Sequence, residues 1–330
     1  MNKLIIPIVV VLIIAAGISV YFVFQKPAFP EQHLEKFEIE DITFTLKSPN
    51  GYDLNVRSIR PKLSVYPSEK FPAVLKLAGG WGIMTDILNG ERIKKSASEG
   101  IIFVAFNSPI RVSPDSAAAS SGDYKGFKEQ ADVAAVLKYI VESPNADTNV
   151  IGVWSHSSGA ILAAGVLGRY TELSEKVAFF IDNEGPHCAK ELLENPNIDA
   201  DAIKGLQLWE KAKGAKVGAG KQYKTEEEFW YERCGNNFIG NYKGAYQRIQ
   251  AKNDHALGYN YPHAIAYLNA ATNGKAEWTR LNKQPKDQIY KSEQFPDGTP
   301  IESVLDIERP TAGSEIGWNV FFKLLEEIQK

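Results

Sequence analysis

Cysteine is nearly absent from the chain. Only Cys188 and Cys234 occur in 330 residues, which excludes a disulfide-rich scaffold and a multi-cysteine zinc site. A cationic excess is missing too: 37 Lys plus Arg stand against 40 Asp plus Glu, a net charge of -3. With so little to neutralise a phosphate backbone, nucleic acid is not an expected partner. Histidine occurs five times and never after His263, which excludes imidazole chemistry from residues 264–330. No internal repeat is visible, which excludes a solenoid. What remains, 44% hydrophobic and 23% charged residues, suffices for one sizeable core and one large domain.

Long apolar runs are also scarce, with one exception. Leu4 to Phe24 is 21 residues without a charge, bracketed by Lys3 and Lys26, long enough to span a bilayer. Residues 1–29 are therefore expected to be a membrane anchor, or a signal segment cleaved near Ala15-Ala16-Gly17. The apolar run continues past that site to Phe24, which favours the uncleaved anchor. Lys3 and the α-amino group on one side face only Lys26 on the other, where Glu31 soon follows, which favours an orientation with the 30–330 domain outside the cytosol. In an oxidising compartment Cys188 and Cys234 are free to pair; two buried thiols are the other reading.

Beyond residue 30, Phe37 to Phe44 and Tyr52 to Ile59 flank Asn50-Gly51 and read as an antiparallel hairpin. Short apolar strands follow at Ala73–Leu77, Ile101–Phe106, Val150–Trp154, Val177–Ile181 and Tyr246–Gln250. Helical periodicity at Gly90–Glu99, Phe127–Glu142 and Ser158–Tyr170 separates them. Alternation of this kind predicts an α/β fold with a mostly parallel sheet of about eight strands and helices on both faces. Residues 187–245 break the alternation and read as an inserted cap, with a glycine-rich loop at Gly214–Gly220. Within it, Phe229-Trp230-Tyr231-Glu232-Arg233 reads either as pocket lining or, more commonly for such a run, as core packing plus an ion pair. Glu315 to Ile328 carries an apolar stripe at helical spacing, Trp318, Phe321, Phe322, Leu325 and Ile328, expected to pack on the sheet.

The chemistry-bearing motif is Ser155-His156-Ser157-Ser158-Gly159, between the apolar strand Val150-Ile151-Gly152-Val153-Trp154 and the small-residue helix Ala160-Ile161-Leu162-Ala163-Ala164. A serine hydroxyl is a poor nucleophile unless a base takes its proton and donors hold the oxyanion that forms on attack. Small residues two before and two after Ser157 permit the sharp strand-to-helix turn that exposes such a serine. A plain helix N-cap is the alternative role for Ser157. On these residues the sequence resembles the α/β-hydrolase superfamily of serine esterases, lipases and peptidases, with Ser155 where the first glycine of G-x-S-x-G usually stands. That resemblance implies the α/β-hydrolase fold, with Ser157 as nucleophile. It also implies an oxyanion hole built from the backbone N–H of Ser158 and one from Gly80 or Trp81, in the loop Leu77-Ala78-Gly79-Gly80-Trp81-Gly82.

The same resemblance puts the acid after the seventh strand, where Asp254 stands, and the histidine in a loop after the eighth. There the chain reads Asn282-Lys283-Gln284-Pro285. The base would then be His255 or His263, with His187 third. Asp182 or Glu184 is the alternative acid, because Asp254 is awkwardly adjacent to His255. A metal site among Asp182, Glu184, His187, Asp254 and His255 matches no standard ligand spacing, so no metal or other cofactor is expected. The sequence reading is thus a serine hydrolase for an ester, thioester or amide, its substrate a small molecule, lipid or peptide met outside the cytosol. A non-catalytic ligand- or partner-binding protein on the same scaffold is the alternative that the missing late histidine favours.

Overall fold

The computed structural model describes residues 37–80, 83–111, 123–193, 200–251, 261–272, 274–275, 277–278, 305–306 and 315–330. The apolar run Leu4–Phe24 lies outside them. Among the described residues no helix is long and apolar enough to cross a membrane.

Strands β1 (Ile39–Lys47) and β2 (Asp53–Pro61) form the expected antiparallel hairpin, with Gly51 at φ 90° in its turn. Then come β3 (Phe71–Leu77), helix α1 (Glu91–Ser98), β4 (Ile102–Asn107), α2 (Phe127–Val141), β5 (Ala146–His156), α3 (Gly159–Arg169) and the single turn α4 (Thr171–Ser174). After β6 (Phe179–Asn183) the chain leaves the sheet through α5 (Ala189–Leu193), α6 (Ala200–Lys216) and α7 (Glu226–Tyr231). It returns as β7 (Ala245–Ala251), α8 (Tyr261–Thr272), the two-residue strands β8 (Glu277–Trp278) and β9 (Leu305–Asp306), and α9 (Glu315–Ile328). The sheet order is β1-β2-β4-β3-β5-β6-β7-β8, with β9 on β7; every pairing from β4 to β8 is parallel. The expected mostly parallel sheet is therefore present.

Strand alternation divides the core in two. Leu75 and Leu77 of β3, with Ile151 and Val153 of β5, pack under α2, α3 and α8. Val74, Val150 and Trp154 point the other way, under α1 and α9. The apolar stripe of α9 explains its place: Phe321 stacks on Trp154 at 5.2 Å, and Trp318 meets both Trp154 and Phe103 edge-on. Each such side chain, once buried, contributes roughly 1.5–3 kcal/mol. A third apolar cluster, Leu192, Leu208, Trp209, Phe229 and Trp230, belongs to the segment between β6 and β7 and closes on Tyr124 and Ile161.

Two expectations need correction. Strand β6 runs to Asn183 rather than ending at Ile181, because the polar Asp182 continues the ladder opposite Ser155 and Arg248 and its carboxylate finds buried partners. Gly214 sits inside α6, which extends to Lys216; the glycine turn begins only at Val217, with Gly218 and Gly220 at positive φ.

Candidate active site

Strand β5 lies centrally, bonded to β3 on one side and β6 on the other, so the turns leaving these three strands meet at one sheet edge. Ser157 occupies the turn at φ 50°, a left-handed conformation that costs a non-glycine residue roughly 1–3 kcal/mol. Hydrogen bonds hold it there: the Ser157 N–H donates to the Asn183 carbonyl at 2.9 Å, and the Ser157 carbonyl accepts from Ala160 N at 3.0 Å. The N-cap position of α3 belongs to Ser158, whose side chain makes no capping bond, so Ser157 is not the helix cap.

Small residues are required around it. A Cβ on Gly79 would collide with the Ser157 side chain, and one on Gly159 would run into the Leu77 carbonyl. Ser155 is fully buried, paired on the sheet between Leu77 and Asp182. His156 turns to Asn183, whose side-chain amide donates to its Nδ1 at 3.1 Å.

The glycine loop after β3 is therefore packed against the nucleophile turn, and the carbonyls of Ala78, Gly79 and Gly80 are each engaged by a side chain. Arg111 donates to the carbonyls of Ala78 (3.3 Å), Gly79 and Gly80 (2.7 Å), while the Tyr124 hydroxyl donates to Gly80. Glu129, fully buried, lies 3.6 Å from the Arg111 guanidinium and accepts the Lys125 backbone N–H at 2.6 Å. Burial raises the Tyr124 phenol to about 12, which keeps it a neutral donor. Burial, reinforced by the charge of Arg111, pushes the Lys125 ammonium down. Ser158, the first expected oxyanion donor, stands at the N-cap of α3; of the two alternatives for the second, Gly80 is at φ 56° and Trp81 lies outside the described residues.

The expected acid and base are placed less completely. Asp254 and His255 lie outside the described residues, as does the side chain of His263, which falls in the first turn of α8. Asp182 is buried with both oxygens occupied. Gly185 N donates to Oδ1 at 3.0 Å, while the Tyr246 hydroxyl (2.8 Å) and Arg248 (2.6 Å) donate to Oδ2. Glu184 is buried at φ 53°, its N–H bonded to the Ile249 carbonyl. His187 is buried, with Nε2 3.0 Å from Glu191.

The segment between β6 and β7 is pinned in two places. Cys188 and Cys234, whose pairing the sequence left open, form a disulfide, and Ala189 N donates to the Arg233 carbonyl at 2.9 Å. Arg233 is the ion-pair member of its aromatic run: it reaches Asp123 at 3.0 Å, stacks 3.7 Å over Phe229 and donates from Nε to the Tyr124 carbonyl at 3.1 Å. Arg111, Tyr124 and Glu129 escaped the sequence reading, since no local pattern links a loop arginine to a tyrosine and a glutamate more than ten residues downstream.

This sheet order, with a strained serine turn at its centre, defines the α/β-hydrolase fold. No family model and no curated protein matches the chain in sequence. Solved structures do match in fold. An acetyl xylan esterase from Paenibacillus sp. R4 superposes with a TM-score of 0.57 at 13% identity, covering 91% of this chain and 86% of that one. Acylaminoacyl peptidase from Pyrococcus horikoshii gives 0.53 at 17% identity, over 73% of this chain and 36% of that one. A puromycin-hydrolysing peptidase from Mycobacterium tuberculosis gives 0.52 at 15% identity, over 73% and 35%. The chain thus spans about a third of the length of these peptidases.

Proposed function

We propose that the chain is a serine hydrolase that cleaves an ester, thioester or amide through an acyl-enzyme on Ser157. The observation that carries this reading is the left-handed Ser157 turn packed directly against Gly79 of a glycine loop. A merely structural serine needs neither the strain nor the closeness. In the proposed reaction Ser157 Oγ attacks the carbonyl carbon and gives its proton to a histidine, His255 or His263, with Asp254 orienting the ring. The oxyanion is held by backbone N–H groups of Ser158 and of Gly80 or Trp81. The proton passes to the departing alcohol, thiol or amine, and water then hydrolyses the acyl-enzyme. Asp182 is assigned instead to holding Arg248 and the ends of β6 and β7 together.

The fold relatives include an esterase and peptidases, in keeping with a carbonyl substrate from a small molecule, lipid or peptide. We place the domain outside the cytosol, anchored through Leu4–Phe24. The Cys188–Cys234 disulfide supports this, because such bonds persist in oxidising compartments.

Labelling with a serine-reactive fluorophosphonate tests the reading: wild type is expected to react and Ser157→Ala not to. The absence of any histidine after His263 favours one competing reading, a binding protein on the same scaffold. Wild type that stays unlabelled while binding an ester analogue would establish that instead.

A further inference from the structure

The glycine loop beside Ser157 does not hold its own shape. Gly80 is in a left-handed conformation, and three consecutive carbonyls, those of Ala78, Gly79 and Gly80, accept hydrogen bonds from donors supplied by other parts of the chain. Each peptide plane fixes the N–H of the next residue opposite its carbonyl. Seizing the Gly79 carbonyl therefore sets the direction of the Gly80 N–H, an expected oxyanion donor, and holding the Gly80 carbonyl keeps that residue in its left-handed conformation.

One of those donors, Tyr124, is itself held by the segment between β6 and β7. Its ring packs on Trp209 of α6 with centroids 5.1 Å apart. Its carbonyl accepts two hydrogen bonds from that segment, from Trp209 Nε1 at 3.0 Å and Arg233 Nε at 3.1 Å. The next residue, Lys125, stands at φ 60°, so the backbone here is kept in a costly conformation by what surrounds it. A continuous chain of contacts thus runs from α6 and the disulfide-linked end of the segment, through one tyrosine, to the Gly80 carbonyl.

We infer that Tyr124 and Arg111 are positioning residues for the oxyanion loop, and that Tyr124 makes the aim of that loop depend on the docked state of the segment between β6 and β7. The inference rests on the serine-hydrolase reading only for its consequence in rate; the link itself is structural. Ligand or partner contacts that shift α6 would change acylation without touching Ser157.

Conservative variants of the full chain test it. Tyr124→Phe keeps the ring that packs on Trp209 and removes the hydroxyl that donates to the Gly80 carbonyl. Its rate of Ser157 phosphonylation by a fluorophosphonate is expected to fall about tenfold, less than the loss of an oxyanion donor itself. For p-nitrophenyl acetate, kcat should fall with KM unchanged, while the thermal midpoint stays close to wild type. Trp209→Phe, which removes the indole donor to the Tyr124 carbonyl, should give a smaller loss in the same direction. Combined, the two losses should fail to multiply, because both act through one link. A Tyr124→Phe protein phosphonylated at the wild-type rate overturns the positioning role, and losses that multiply overturn the relay. Should Ser157 of the wild type not react at all, the hydrolase reading fails separately. Hydrogen exchange at the Gly79 and Gly80 amides then decides the link: faster exchange in Tyr124→Phe upholds it, and unchanged exchange overturns it.

Discussion

Arg248 and Asp182 face each other at 2.6 Å, both without solvent exposure, on adjacent strands of the central sheet. The guanidinium also donates to the Gly185 carbonyl, and Tyr246 completes the carboxylate's shell. Breaking a buried pair from one side strands the other charge, at a cost of about 3–5 kcal/mol. Asp182→Asn should therefore lower the denaturant midpoint far more than Tyr246→Phe, which removes one neutral donor. Equal, small effects would return Asp182 to the list of candidate catalytic acids.

Gly79→Ala tests the closeness of the glycine loop to the nucleophile. Its methyl meets the Ser157 side chain and the His156 carbonyl, and backbone on that side cannot yield cheaply. Overpacking of this kind costs about 1–3 kcal/mol. Loss of Ser157 labelling should exceed what the loss of folded protein explains, with circular dichroism giving the folded fraction. Full labelling would mean that the two turns separate more easily than their packing implies.

The disulfide closes a separation of 46 residues. In the chain-entropy model that constraint is worth about 4 kcal/mol. The Cys188→Ser, Cys234→Ser double variant should therefore unfold at markedly lower denaturant than wild type, and dithiothreitol should shift wild type towards the variant. No shift with reductant would place the bond's stabilising effect near zero.

Lys76 supplies a pH dependence. It is 2% exposed on β3, with Nζ 3.2 Å above the Trp154 ring, and burial lowers its pKa well below the usual lysine value. A base depressed in the folded state gives stability that is present above its unfolded pKa of about 10.4 and lost as pH falls towards the folded one. Lys76→Met should therefore be more stable than wild type at neutral pH, with the gap narrowing as pH rises towards 10. Parallel pH profiles for the two proteins would show that Trp154 fully offsets the desolvation of the charge.

Local signals made much of the fold legible. Helix α9 falls on the residues its apolar stripe marks, and the Ser157 turn could be read from strand, small residues and helix within one short stretch. Helix α6 was not legible. Gly205 and Gly214 are weak helix formers within it, and Leu208, Trp209 and Ala212 are too few to stand out as a stripe. The end of β6 was misplaced because Asp182 looks like a loop residue until Arg248, 66 residues later, neutralises it. The support of the glycine loop was hidden for the same reason. Arg111, Tyr124 and Glu129 acquire meaning only once folding brings the first two to the Gly79 and Gly80 carbonyls and the third to Arg111.

The bonds between the Tyr124 carbonyl and the donors Trp209 and Arg233 also define which piece of this protein is exchangeable. Grafting a foreign excursion between β6 and β7 would leave that carbonyl without its partners and the Lys125 turn without its support. A working chimera must therefore carry residues 123–126 along with the excursion, as a two-part cassette whose halves lie about sixty residues apart in the chain.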